Sequence, residues 1–388
     1  MSDRTKIEWA DATVNAIDGC SVTSPGCTNC YAMKQAHRVD ARRGLTVQSK
    51  GGMVWTGVTR FNEKALLQPL KWKRPRRIFW NAHGDTFHDS VPDEWIDRIF
   101  AVAALTPQHT HMILTKRSAR MRRYVEDRAM TGAGILIAMG DLCDLSVNDR
   151  CIKLLGIDER TTMDKARPLP NVWLGVSVED QARADERIPD LLATPAAVRF
   201  LSCEPLLGPV DLTAIPWPEH WPRCECLQGD PRYDALESSV YCPGCCEGPE
   251  AMDAPAVDWV IVGGESGPNA RPMHPDWARS LRDQCADAGV PFHFKQWGEW
   301  APICEMTEKL IDGCYHPAPE RDPEASRRCK VDQCVLHADG ERFDGRAMFE
   351  LGAFLAGKRA MTMMKVGKRT AGRLLDGIEH NEMPEVQP

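Results

Sequence analysis

Six short apolar runs, each ending in polar residues, recur along the chain from residue 78 onward and constrain its fold more than any other feature. They are Ile78-Phe-Trp-Asn81, His111-Met-Ile-Leu-Thr-Lys-Arg117, Val172-Trp-Leu-Gly-Val-Ser-Val-Glu179, Val198-Arg-Phe-Leu-Ser-Cys-Glu-Pro205, Trp259-Val-Ile-Val-Gly-Gly-Glu-Ser266 and Pro291-Phe-His-Phe-Lys-Gln296. Amphipathic helical segments alternate with them. Ser90-Val-Pro-Asp93 opens one with an apolar stripe of Trp95, Ile96, Ile99, Phe100 and Ala103. His274-Pro-Asp-Trp277 opens another that places Trp277, Leu281 and Cys285 on one face and closes near Gly289. Strand and helix alternating in this way predict βα units and an α/β fold with a parallel sheet, curled or open.

Polar side chains collect at the strand ends: Asp85, Lys116, Ser177 with Glu179, Ser202 with Glu204, Glu265 with Ser266, and Lys295 with Gln296. Any one of them could be polar only because loops meet water. In a parallel barrel, however, all such ends share one face, and six in succession predict a shared site there.

The second constraint is Gly19-Cys-Ser-Val-Thr-Ser-Pro-Gly-Cys-Thr-Asn-Cys-Tyr-Ala32, which spaces Cys20, Cys27 and Cys30 as C-x6-C-x2-C. Pro25-Gly26 can turn Cys20 back toward the other two. Good helix formers follow from Ala32 to Arg38, which puts the thiols at a predicted helix N-terminus, where backbone N–H groups favour anionic ligands. Three thiolates leave one iron of a cluster open to a substrate or cofactor. The alternative is a zinc ion on the same cysteines, closed by His37 or His83.

The chain holds 16 cysteines, a number that in a reducing compartment predicts metal ligands or buried thiols before disulfides. Cys224-Glu-Cys226 and Cys242-Pro-Gly-Cys245 have the spacing of two zinc-ribbon-like knuckles, with an auxiliary iron-sulfur cluster as the rival and Cys246 adjoining. A third group, Cys304, Cys314, Cys329 and Cys334 with His316 and His337, is less regular. Cys143, Cys151, Cys203 and Cys285 are scattered and read as ordinary thiols.

These segments set the expected organisation: residues 1–130 as the N-terminal half of a barrel with the cysteine loop, 131–168 as an insertion, 169–217 as barrel continued, 218–257 as a cysteine-rich insertion, 258–300 as the barrel completed, 301–345 as a second cysteine-rich insertion, and 346–388 as a C-terminal cap. At 388 residues and 43% hydrophobic the chain can bury a large core. The net charge of -7 argues against a protein that holds nucleic acid by bulk electrostatics, though not against a local basic groove. No stretch nears the roughly 18 to 20 apolar residues that span a bilayer, and the start Met1-Ser-Asp-Arg-Thr-Lys lacks a signal-peptide core, so a cytoplasmic location with no membrane partner is expected.

Taken together, the cysteine loop with Tyr31-Ala32, Gly84-Asp-Thr-Phe-His88, Leu114-Thr-Lys-Arg117, Trp173-Leu-Gly-Val-Ser-Val-Glu179, Phe200-Leu-Ser-Cys-Glu-Pro-Leu-Leu207, Gly263-Gly-Glu-Ser-Gly267, and Val366-Gly-Lys368 through Leu374-Leu-Asp-Gly377 resemble the phage gene-product 37/68 family, a radical-SAM-like group common in bacteriophages and prophages. The resemblance implies a partial (β/α)6 barrel holding a 4Fe-4S cluster on Cys20, Cys27 and Cys30, with S-adenosyl-L-methionine on the fourth iron and a reductase or flavodoxin-type electron donor. The six-residue gap between Cys20 and Cys27 departs from the commonest C-x3-C-x2-C loop of that superfamily. By the same resemblance Asp85 would hold the methionyl end of the cofactor, Ser177 and Glu179 its ribose or carboxylate, and Glu204, Gly263 and Gly264 would line it. Glu265 is a further expected site residue, of unassigned role.

For the substrate, Lys71-Trp-Lys-Arg-Pro-Arg-Arg77 and Lys116-Arg-Ser-Ala-Arg-Met-Arg-Arg123 could form a phosphate-binding edge with Trp72 or Trp80 available for stacking, or could be solvated surfaces. The resemblance implies isomerisation or rearrangement of a 5-substituted thymine derivative during hypermodification of phage DNA, with DNA or a modified nucleotide as partner. It extends more distantly to spore photoproduct lyase, which implies a repair lyase as the alternative enzyme. A non-catalytic nucleic-acid adaptor holding only zinc is the alternative from another class.

Overall fold

All six expected strands form, and a seventh precedes them. The computed structural model describes residues 5, 7–129, 132–143, 168–216, 232–236, 239–240, 255–318 and 326–385. We number the strands of the main sheet β1 (Ala12–Val14), β2 (Arg77–Trp80), β3 (Thr110–Thr115), β4 (Val172–Ser177), β5 (Val198–Cys203), β6 (Trp259–Gly263) and β7 (Phe292–Gln296). In sheet order they follow chain order without a reversal. The pairs β1/β2, β2/β3, β3/β4, β4/β5 and β6/β7 are parallel. A doubly wound sheet needs a point at which strand order reverses; unbroken sequential order is the connectivity of a barrel wall. The fold is thus mixed α/β on a seven-stranded parallel sheet, compatible with a partial barrel.

The strands are mostly apolar, as strands covered on both faces must be. Every residue of β4 and of β6 is buried, as expected for parallel strands flanked by helices. Between β2 and β3 runs α2 (Asp93–Leu105), following α1 (Tyr31–Ala36); Ile96, Ile99, Phe100 and Ala103 of α2 are buried, and Asp93 and Glu94 occupy its first turn, where the helix dipole favours negative charge. After β3 come α3 (Ser118–Tyr124) and α4 (Ala133–Leu142), then α5 (Gln181–Ala193) after β4 and α6 (Pro275–Ala288) after β6. His274 caps α6 by accepting from the Asp276 N–H, and Gly289, at φ 69°, ends it.

The chain divides into two compact units, Met1–Ser177 with Asp185–Ser202 and Ala214–Asp258, and Val178–Ala184 with Cys203–Thr213 and Trp259–Pro388. The first contains β1 to β4 and nearly all of β5. It also contains the short antiparallel pairs Ile17–Asp18 with Arg60–Phe61 and Thr46–Ser49 with Gly52–Trp55. The second contains β6, β7 and a four-stranded antiparallel sheet of β8 (Ala301–Pro302), β9 (Gln333–Leu336), β10 (Arg342–Asp344) and β11 (Met361–Met364), in the order β8-β11-β9-β10. Residues 301–345, expected as an insertion, and the C-terminal cap therefore share one sheet. Most of the expected insertions 131–168 and 218–257 lie outside the described residues, as do Cys151, Cys224, Cys226, Cys242, Cys245 and Cys246.

One expectation is corrected by burial. Trp80 is 1% exposed and donates from Nε1 to His111 Nδ1 at 3.0 Å, so it is a core residue and cannot stack on a base.

Candidate active site

The three cysteines lie just past the C-terminal ends of β1 to β3, on a loop pinned by two glycines. Gly19, at φ 104°, donates its N–H to the His83 carbonyl (3.0 Å) and bridges Gly84. A Cβ on Gly19 would lie 2.1 Å from the Val58 carbonyl oxygen, and one on Gly84 2.4 Å from that of Ile17. Only bare backbone fits this approach. Beyond it, Pro25–Cys27 forms a 3-10 turn, Cys30 N–H donates to Cys27 O (3.2 Å), and Cys30 is the N-cap of α1. Tyr31 ties the helix start back to the loop after β2 by donating to Ala82 O at 3.0 Å.

Next to the thiols sits a buried ion pair. Arg117 Nη1 lies 2.8 Å from Asp85 Oδ2, both side chains being 7% exposed, and the same nitrogen lies 3.7 Å from Cys20 Sγ. Arg117 Nη2 donates to Ser21 Oγ (2.7 Å) and Ser21 O (3.3 Å), and His88 Nε2 lies 3.0 Å from that hydroxyl. Asp85 Oδ1 accepts from Phe87 N–H (2.9 Å) and Thr115 Oγ1 (2.7 Å), while Lys116 N–H reaches Oδ2 at 3.4 Å. A carboxylate has about four acceptor directions. Those of Asp85 are all engaged, so in this geometry it positions Arg117 rather than presenting a vacant oxygen to a ligand.

The thiols differ in how readily they ionise. Burial and the Asp85 charge push Cys20 up to about 12 against the pull of Arg117. Burial likewise raises Cys30, outweighing the Ala32 and Met33 N–H groups and reinforced by Cys27. For Cys27, burial is overcome by the Lys116 charge and by donors from Thr23 and Ser24, and its value falls. Clustered buried thiols of this kind become three thiolates only when cations supply the compensating charge, which is what metal ligation does.

Three thiols on one loop, with cationic Arg117 and Lys116 beside them, are a donor set that could hold either a cluster with one open iron or a metal ion closed by a fourth ligand. Of the alternative zinc ligands, His37 is exposed at the end of α1, whereas the His83 ring packs edge-on to Tyr31 with Nδ1 buried and unbonded, burial lowering its value to about 4 and keeping it neutral.

In the first unit the structure thus brings together Cys20, Cys27, Cys30 and Asp85, and adds Arg117, Ser21, Thr115 and His88, whose roles the sequence reading did not foresee. The Thr115-Lys-Arg117 strand end carried the signal, since a cation leaving a strand beside three thiols has an evident partner. Ser177, also in this unit, is buried and its carbonyl accepts from Arg187 Nη1 (2.8 Å). In the second unit Glu179 is fully buried, and Glu204 pairs with Lys295 at 2.8 Å. A Cβ on Gly263 would come 2.7 Å from Glu204 Oε1, and one on Gly264 1.9 Å from the Trp297 carbonyl, so both glycines serve close packing. Glu265 is clasped by Arg271, with Nε at 2.9 Å and Nη2 at 2.6 Å. The third cysteine group comes together only in part: Cys329 Sγ contacts Cys314 O (3.4 Å), while Cys334 is buried in β9 and Cys304 is exposed beside Arg279 Nη2 (3.6 Å).

The expected phosphate-binding edge is partly neutralised. Arg77 pairs with Asp11, Arg117 with Asp85, Arg120 with Asp93 and Arg122 with Asp190. Arg76 lies over the half-buried Trp72 ring at 4.6 Å. No helix among the described residues is long and apolar enough to cross a membrane.

The chain belongs to the family described as "Protein of unknown function (DUF5131)", which matches residues 4–384. No curated protein and no solved structure matches it.

Proposed function

We propose that this family member is a radical S-adenosylmethionine enzyme that acts on a nucleobase, isomerising or rearranging a 5-substituted thymine derivative during hypermodification of phage DNA. The observation that carries the reading is the loop of three thiols just past the C-terminal ends of parallel strands, flanked by the buried Arg117–Asp85 pair, whose guanidinium also reaches Cys20. Cys20, Cys27 and Cys30 would hold three irons of a 4Fe-4S cluster. That group, when bound, supplies the electron that cleaves the sulfonium of S-adenosyl-L-methionine and so gives the radical able to take hydrogen from an unactivated C–H bond.

The protein's own residues provide charge and exclusion. Arg117 sets a guanidinium against Cys20 Sγ, Lys116 places its charge toward Cys27, and donors from Ser24 and Thr23 reach the Cys27 sulfur. Each favours the thiolate over the thiol. Asp85, locked by Thr115 and the Phe87 N–H, keeps Arg117 from turning away. The substrate and the flavodoxin-type or reductase donor follow from the family resemblance alone.

Anaerobic reconstitution with iron and sulfide, followed by S-adenosylmethionine and dithionite, should yield 5′-deoxyadenosine, and Cys27→Ala should abolish it. Undiminished product from the Cys27→Ala protein would sink the assignment. Hydroxymethyluracil-derived DNA is the first substrate to test, with thymine-dimer DNA as the probe for the repair-lyase alternative.

A further inference from the structure

The hairpin between β9 and β10 carries three donors that the proposed reaction does not use. His337 is completely buried, and its Nε2 lies 2.9 Å from the Ala353 carbonyl oxygen. A carbonyl only accepts, so the proton is on Nε2 and the Nδ1 lone pair is directed elsewhere. Nδ1 has no hydrogen-bond partner. It faces Glu341 Oε2 at 3.5 Å, and one donor atom from each of His337, Asp339 and Glu341 lies within 4.8 Å of the other two.

The loop holds these donors rigidly. His337 N–H donates to Glu341 O (2.8 Å), Gly340 N–H to His337 O (3.0 Å), and Glu341 N–H to Asp339 Oδ1 (3.1 Å). Trp277 Nε1 clamps the Ala338 carbonyl at 2.6 Å. An unsatisfied buried lone pair opposite a carboxylate oxygen is unfavourable unless a cation stands between them. Lys358 Nζ already sits 2.6 Å from Asp339 Oδ2, so the tip attracts positive charge, but that ammonium does not satisfy His337 Nδ1.

The geometry points to a divalent metal site at this hairpin tip, formed by His337 Nδ1 and carboxylate oxygens of Asp339 and Glu341. One neutral imidazole and two carboxylates suit a borderline-to-hard ion such as Mn2+ or Zn2+, with water completing the shell. The Nε2–H bond to Ala353 O is the outer contact that fixes the ring as a ligand. A bound ion would lock the hairpin tip, and it competes with Lys358 for Asp339.

Manganese alone is the probe, because soft thiolates elsewhere in the chain compete poorly for it. Titration of the full-length protein, followed by loss of the free-ion EPR signal, should show binding that His337→Gln, Asp339→Asn and Glu341→Gln each weaken at least about tenfold. Lys358→Met should tighten it. Asp339 and Glu341 are exposed, so their variants test the site without risk to the core. Equal affinity in the wild type and in His337→Gln, weaker binding in Lys358→Met, or no binding at millimolar manganese would each overturn the proposal.

Discussion

His111 shows how much a single buried side chain can commit. It accepts from Trp80 Nε1 at Nδ1, which places its proton on Nε2, directed at Thr106 Oγ1 (3.0 Å), and that hydroxyl donates to Val102 O (2.6 Å). Burial, with the His109 ring beside it, lowers its value from 6.5 to about 3. The unfolded chain therefore binds a proton that the folded one refuses between those limits. The stability that the neutral ring contributes is complete above about pH 6.5 and is lost as pH falls toward 3, at up to about 1.4 kcal/mol per unit. Denaturant unfolding at pH 7 and pH 5 should show this loss, and His111→Gln should have a flatter pH dependence than the wild type. Arg117 makes a second commitment at this scale. A cation beside Cys20 stabilises the extra negative charge of a reduced cluster, so Arg117→Gln should move its midpoint potential to more negative values. An unchanged or higher potential would show that the guanidinium does not act on the cluster.

At the scale of elements, long apolar runs were legible in the sequence and short or polar ones were not. β2 to β7 all announced themselves because strands buried on both faces are continuous apolar runs. β1 is Ala12–Val14, too short to show a period, and it is specified by parallel pairing with Ile78 to Trp80. The cysteine loop was legible as a ligand set, whereas its anchoring was not, because a clash at Gly19 with Val58 O depends on residues far apart in the chain. The join between α2 and α4 was equally hidden. Asp97, 2% exposed on α2, accepts from Tyr124 Oη (2.8 Å) and from Arg128 Nε and Nη2 (2.9 and 2.7 Å to Oδ2). Gly134 of α4 presses on the same carboxylate, its absent Cβ falling 2.2 Å from Oδ2. Arg128→Met leaves Asp97 charged and buried with Tyr124 as its remaining side-chain donor among the described residues, which should destabilise the protein by about 2 to 4 kcal/mol in thermal or denaturant unfolding. A change within about 0.5 kcal/mol would mean that Tyr124 and the half-exposed surroundings of Arg128 suffice.

For the whole molecule, sequential parallel strands with polar ends place the thiol loop where βα folds put their chemistry. Ion pairs absorb Arg77, Arg120 and Arg122, which leaves the proposed nucleic-acid contact fewer cations than the sequence suggested. Sequence spacing grouped the third set of cysteines, and folding keeps only Cys314 and Cys329 side by side, with Cys334 buried in β9 and Cys304 exposed. The central claim is that Cys20, Cys27 and Cys30 ligate a cluster and not a single ion. Metal and sulfide analysis of anaerobically purified protein tests it most directly, beside a variant with all three changed to Ala. The account predicts iron and acid-labile sulfide in equal amounts in the wild type, both lost in the variant. Zinc without sulfide, removed by the same three substitutions, would contradict it and would favour the zinc-only adaptor.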